Sequence, residues 1–344
     1  MPRPSALISA GALPAALALL VLTGCGNGKV IGSGPLPTPT PLVPSVSAEF
    51  TVPTSNSSPT GITSGADGFL YIAERGGNNI AQMSTGGSFK EFAVPTGGSA
   101  PFGIVATTDG NLWFTENAGD KIGELTPSSS TFTELPIPTA SSGPTYITLG
   151  PDGALWFSET AANKIGRLTL TGVFTEFAVP TPNAGLAGLS RFPSDNGLYI
   201  VETNASQIVR FDTTALTFGT PVPTITANAG PTQIVVCPDL QALCFTEDNV
   251  AKLGRMTPGG VMTEFSLSPA TSANALVDGA DFNIYFSDRT QNKIGRVSGT
   301  TFSSVKEFSI TTANSQPSFM SLGSDGEVYF TETAANKIGR LTYF

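Results

Sequence analysis

Leu155-Trp-Phe-Ser-Glu-Thr-Ala-Ala-Asn-Lys-Ile-Gly-Arg-Leu-Thr169 returns near the end of the chain as Val328-Tyr-Phe-Thr-Glu-Thr-Ala-Ala-Asn-Lys-Ile-Gly-Arg-Leu-Thr342. Weaker copies lie between and before these two. The position held by Trp156 recurs as Tyr71, Trp113, Tyr199, Cys244, Tyr285 and Tyr329, in steps of 42, 43, 43, 45, 41 and 44 residues. A period in the low forties with several short alternating segments per unit is the signature of propeller blades. Within the third unit the segments are Tyr146–Leu149, a Gly150-Pro-Asp-Gly153 turn, Ala154–Glu159, Lys164–Thr169 and Val173–Val179. Glycine supplies the positive φ that such turns require. Pro180 and Pro182 then stop pairing at the outer edge, where a missing amide donor is tolerated.

Counting the segments predicts how the array ends. The fourth segment recurs as Glu91-Phe92, Glu134-Leu135, Glu176-Phe177, Glu264-Phe265 and Glu307-Phe308, and is degenerate near Phe218. The last unit stops after three segments, while Ala48-Glu49-Phe50-Thr51-Val52-Pro53 stands alone at the front. The expected fold is all-β: a seven-bladed β-propeller of four-stranded blades, its last blade closed by the N-terminal strand. Closure removes two exposed sheet edges. An open solenoid capped at each end is the alternative.

Composition sets further bounds. Charged residues are 12% of 344, with 38 Gly and 27 Pro, a profile of strands and tight turns. The net charge of -9 and the lack of a basic run exclude nucleic acid as an expected partner. There is no histidine. The commonest general base near neutral pH and the commonest nitrogen metal ligand are thus both missing.

The first 24 residues read as a targeting segment. Arg3 precedes an apolar stretch from Leu13 to Leu22 that is too short to span a bilayer. Leu22-Thr23-Gly24-Cys25 resembles a bacterial lipoprotein cleavage and lipidation box; a plain secretory signal is the alternative. Residues 25–45 are Pro- and Gly-rich and form an expected extended tether ahead of the body at 46–344. The chain is therefore expected to be exported and lipid-anchored at Cys25 to the cell envelope. Likeness to known lipoproteins makes this the outer membrane in a Gram-negative cell, since Gly26 and not Asp follows the cysteine. Cys237 and Cys244 fall on neighbouring strands, and an oxidising compartment makes a disulfide between them the expected state. Two buried thiols are the alternative.

The unit Gly-Pro-Asp-Gly-x-Leu-Trp-Phe-x-Glu-x-x-x-x-Lys-Ile-Gly-Arg resembles that of the virginiamycin B lyase, or streptogramin lyase, family across residues 46–344. The resemblance implies a seven-bladed propeller. Active members open a cyclic depsipeptide by elimination across its ester C–O bond, using Mg²⁺, histidines and a glutamate. In one histidine column this chain carries Thr60, Phe102, Thr145, Ala187, Thr232, Ala275 and Ser318. In the other it carries Gly76, Ala118, Ala161, Asn204, Asn249, Thr290 and Ala334. The family's mechanism therefore does not carry over intact, and fold alone does not assign chemistry.

Two groups of candidate residues remain. Glu74, Glu116, Glu159, Glu202, Glu247, Asp288 and Glu332 end the second segments at one height on one face. They read either as an acidic rim that gathers cations or Mg²⁺, or as structural partners of Lys121, Lys164, Lys252, Lys293 and Lys337, five positions on. The second group departs from the repeat. Arg75 and Arg289 follow their acids, while Phe102, Tyr146, Gln233 and Phe319 start inner strands near the channel mouth. They read as a ligand-binding funnel or as a channel plug. The expected function is a monomeric binding or scaffold module for a protein, peptide, glycan or small-molecule ligand, with no cofactor. A Mg-dependent lyase or hydrolase using the acidic rim is the alternative.

Overall fold

Phe157 pairs directly with Gly166 across the second and third strands of blade three, and that pair explains the recurrent Lys-Ile-Gly-Arg. A Cβ built on Gly166 would stand 2.1 Å from the tip of the Phe157 ring, so only hydrogen fits. The same clash protects Gly123, Gly254, Gly295 and Gly339 beneath Phe114, Phe245, Phe286 and Phe330. Where the ring is absent the glycine is also absent. Ile72 faces Ala81 and Ile200 faces Val209, so a smaller residue in place of the ring leaves room for a side chain opposite.

The computed structural model describes residues 44–299 and 301–343. They form seven antiparallel meanders of four strands, blade four carrying its outer pairing in two short pieces, Thr217–Phe218 and Val222–Pro223. In blade three the strands are Pro144–Leu149, Leu155–Glu159, Lys164–Leu168 and Phe174–Ala178, running from the channel outward. Inner strands pack against inner strands around the ring, and that of blade seven, Pro317–Leu322, meets that of blade one, Pro59–Ser64. The ring is closed.

The N-terminal strand completes it. Ser45–Thr51 pairs with Lys337–Thr342 from Ser45 opposite Thr342 to Thr51 opposite Lys337, as the outermost strand of blade seven. Its Glu49 takes the place of the outer-strand glutamate of other blades. It accepts hydrogen bonds from the Thr311 and Thr312 amides at 2.8 and 3.0 Å, and its carboxylate lies 3.1 Å from Lys337 Nζ. The targeting segment, Cys25 and residues 25–43 of the tether lie outside the described residues.

Hydrophobic cores sit between neighbouring blades. The recurring aromatic residues occupy them, Tyr71, Trp156, Tyr199, Tyr285 and Tyr329 being almost fully buried. Each sends its polar tip to an aspartate four residues earlier, such as Trp156 Nε1 to Asp152 at 2.9 Å and Tyr71 Oη to Asp67 at 2.7 Å. Buried polar tips need such partners, and here the turn supplies them. Cys244 replaces the aromatic in blade five and is joined by a disulfide to Cys237.

The turns that join first to second and third to fourth strands within a blade lie on one face of the ring. The loops between second and third strands, and those between blades, lie on the other. That second face carries the candidate residues.

Candidate functional site

The seven acids at the ends of the second strands do not form a rim. Glu74, Glu116, Glu159, Glu202, Glu247, Asp288 and Glu332 are all fully buried. Each side chain turns into its own blade beneath the connecting loop, out of reach of the channel and of solvent. The lysines take a different partner from the one expected. Lys121 sits opposite Glu116 in register, yet its Nζ reaches Glu134 on the outer strand at 3.1 Å. Lys164–Glu176, Lys252–Glu264 and Lys293–Glu307 repeat this pairing at 3.4, 2.9 and 2.8 Å.

This arrangement separates two kinds of carboxyl. The outer glutamate faces a lysine in four of these blades. Glu264 accepts the Thr226 amide at 2.7 Å and, against the opposing effect of burial, is held at about 2 by Lys252 and Thr226. The inner acid loses its solvent and meets its neighbour's negative charge. Burial first, then the outer glutamate, push Glu159 and Glu247 up to about 8. Burial likewise carries Glu74 to about 8 and Glu116 and Glu332 to about 7. A cation such as Mg²⁺ needs several ionised oxygens converging on one point. The seven acids are enclosed in separate blades, and burial favours the protonated form of Glu74, Glu116, Glu159, Glu247 and Glu332, so they do not fit a shared ion. Among the described residues, no three Asp, Glu or Cys side chains are grouped to hold a metal.

The residue after each acid has a different fate. Thr160, Thr203 and Thr333 donate hydroxyl hydrogen bonds to the inner strand of the next blade, at Leu186, Pro231 and Pro59 carbonyls, over 2.9, 2.6 and 2.8 Å. Asn117 does the same to the Pro144 carbonyl at 3.0 Å. These four are blade-to-blade clasps. The remaining three blades carry charge: Arg75, Asp248 and Arg289, of which Asp248 also holds the next blade, accepting the Ala273 amide at 3.2 Å and Asn274 Nδ2 at 3.4 Å. Asp248 belongs with the other two and escaped the sequence reading, although the column it stands in marks it.

The charged residues surround an aromatic cluster. In six blades the inner strand starts with a register shift, as between Pro144 and Ile147. Such a bulge re-aims side chains. Phe102, Tyr146 and Phe319 emerge from these bulges with ring centroids 5.4–5.8 Å apart, within the range of favourable aromatic pairs. Arg75 lies over the Phe102 ring, 5.6 Å from its centroid, and reaches Asn117 Oδ1 at 3.4 Å. Burial pushes the Tyr146 phenol up to about 12, with Arg289 pulling it down and Asp248 pushing it up. Both charges therefore sit within electrostatic reach of that hydroxyl. Arg75 and Arg289 are exposed, and the three rings are half-buried. Gln233, also half-buried, accepts the Leu276 amide at 2.9 Å.

Beneath the cluster the channel holds a cavity of about 230 Å³, walled by Tyr146, Gln233, Phe319 and aliphatic residues of the inner strands. Sites for drug-sized ligands run from about 300 to 1,000 Å³. The cavity admits a side-chain-sized group, so the body of any larger ligand rests on the mouth. The mouth offers two guanidinium groups, one carboxylate and an aromatic floor. Tyr146 stays protonated, and the carboxylate, Asp248, is engaged by the Ala273 amide at 3.2 Å and Asn274 Nδ2 at 3.4 Å.

A family profile described as the virginiamycin B lyase family matches residues 43–226 and 216–343. No curated protein sequence matches. Among solved structures, a streptogramin B lyase is 33% identical, with 86% of this chain and 96% of that chain covered and a TM-score of 0.79. A virginiamycin B lyase from Staphylococcus aureus is 30% identical over 86% and 99% of the two chains, also at 0.79. A catalytically inactive His-to-Ala variant of the S. aureus protein, with quinupristin, gives the same values.

Proposed function

We propose, from the premise that this chain belongs to the virginiamycin B lyase family, that it is a non-catalytic binding module of the cell envelope. It is exported, carried on a lipid at Cys25, and spaced from the membrane by residues 25–45. Its propeller captures a ligand bearing an aromatic or apolar ring and a negative charge, such as a peptide segment, at the mouth between Arg75, Asp248 and Arg289. The carrying observation is the change of character in the clasp column. Four blades fill that position with an uncharged clasp to their neighbour, and the other three place charge around Phe102, Tyr146 and Phe319, Asp248 while also holding blade six through the Ala273 amide. Guanidinium over an aromatic floor recognises carboxylates and rings together.

The lyase alternative lacks support from the residues present. The columns that would hold histidine hold none, and the acids offered in their place are fully buried. An elimination requires a base within hydrogen-bond reach of the substrate proton.

The test has two arms. Purified protein incubated with quinupristin and Mg²⁺ is expected to leave the depsipeptide ring intact by mass spectrometry. Short peptides containing Phe or Trp beside Asp or Glu are expected to bind by calorimetry, and Arg75→Ala with Arg289→Ala to weaken that binding about tenfold or more. Ring opening at a family-like rate would overturn the reading. Export and anchoring are checked by incorporation of labelled palmitate, which Cys25→Ser is expected to abolish.

A further inference from the structure

The face opposite the mouth carries an apolar sector, and we infer that it docks on a lipid bilayer surface. Leu170, Val173, Leu216, Leu240, Val261 and Phe282 are large and exposed, from 45% to 70%. All six sit on first or third turns, which places them on one face, and they fall in four consecutive blades, three to six.

Two features show that this exposure is built in. First, the turn position held by Gly68, Gly110, Gly153 and Gly326 elsewhere has positive φ, and in blades five and six it is held by Leu240 at 56° and Phe282 at 60°. Left-handed backbone disfavours bulky side chains, so these two are strained where glycine is the easy choice. They are also among the most exposed, at 64% and 70%, and gain no core contact in return. Second, the turn charges of the same four blades are neutralised. Asp152, Asp195, Asp239 and Asp281 pair with Arg167, Arg210, Arg255 and Arg296 at 2.6, 3.3, 2.7 and 3.1 Å. Blades one and two have Gln82 and Glu124 in that arginine column. A chain of net charge -9 thus has one face sector that is apolar at its tips and balanced at their bases.

The occupant follows from where the chain arrives. Ser45 pairs with Thr342, the last residue of a third strand, so the N-terminal strand starts on this same face, at blade seven beside blade six. The inference rests on the proposed anchor at Cys25, 20 residues ahead of Ser45 in the chain. The mouth with Arg75 and Arg289 points away from the bilayer.

The test places tryptophan reporters in the full chain, taken from a host that exports it, on phosphatidylethanolamine–phosphatidylcholine vesicles with brominated acyl chains. Native Trp113 and Trp156 are buried, at 2% and 0% exposure, and give a constant background. F282W on the proposed docking face is expected to lose about half its added emission, since docked tips reach roughly 5–10 Å into the headgroup boundary. A118W on the opposite face is expected to lose none. Adding Leu240→Gly and Val261→Ser is expected to restore F282W emission with an unchanged or higher melting temperature, because the first change relieves strain. Vesicle-bound protein with both reporters bright would overturn docking while leaving the anchor standing. Loss of vesicle binding in Cys25→Ser alone supports the anchor, and absence of palmitate on the native chain overturns it. F282W emission shifted without lipid, together with dimers in solution, would assign the face to a second copy and overturn the inference.

Discussion

Glu159 and Thr160 are neighbours in the chain, and so are Asp288 and Arg289, but the two columns they represent have opposite characters. The acid column is unbroken through seven blades and wholly buried. The column after it is an uncharged clasp in four blades and charged in three, with Asp248 both charged and bonded to the next blade. In a closed repeat, a residue present in every blade serves the blade. A ligand breaks the symmetry of the ring, so residues that meet it must break the repeat. The functional reading therefore lies in the exceptions.

The comparison fails if an acid proves dispensable to the fold. Glu159→Ala would leave a hole beneath the loop and is expected to cost about 2–4 kcal/mol in denaturant unfolding, with peptide binding by the folded fraction unchanged. Thr333→Ala removes the clasp to Pro59 and is expected to cost about 1 kcal/mol, again without effect on binding. A smaller effect is expected from Glu247→Gln at neutral pH, because the native side chain already carries a proton there. Its signature is in the pH profile. Glu247 has its acidity reduced from the usual carboxyl range to about 8 by burial first and Glu264 second. The folded state then binds more protons than the unfolded state between those values, so the contribution is full in acid and is lost as pH rises toward 8. Glu264 acts in the opposite sense, its share being lost as pH falls from the ordinary range toward 2. Melting temperature is thus expected to peak on the acid side of neutrality, with the decline toward pH 8 reduced in Glu247→Gln. The smallest stability effect is expected for Arg75→Ala and Arg289→Ala, within about 0.5 kcal/mol, although these changes weaken binding most.

The fold was legible because a period near 43 residues repeats seven times, and because Ala48–Pro53 matches the segment missing after Thr342. The gathering of Phe102, Tyr146 and Phe319 followed from the same frame, as all three start inner strands. Depth was not legible. Repetition gives the height and face of Glu74 or Glu332, and whether the side chain points to the channel or under its loop depends on the twist at the strand's end. For the same reason Lys121 was assigned the register partner Glu116, when its long side chain instead spans to Glu134. Asp248 is legible only against its column, where Thr or Asn fills four of the seven blades.

The pairing of Ser45–Thr51 with Lys337–Thr342 also imposes an order of events on biosynthesis. The first strand made must wait for the last, nearly 300 residues later. Until then, Ser45–Thr51 offers a bare flank to any passing β-segment, and a nascent chain halted one blade short has no partner for its leading end. Quality control that removes incomplete products has a simple cue here: an N-terminal ribbon still hanging loose.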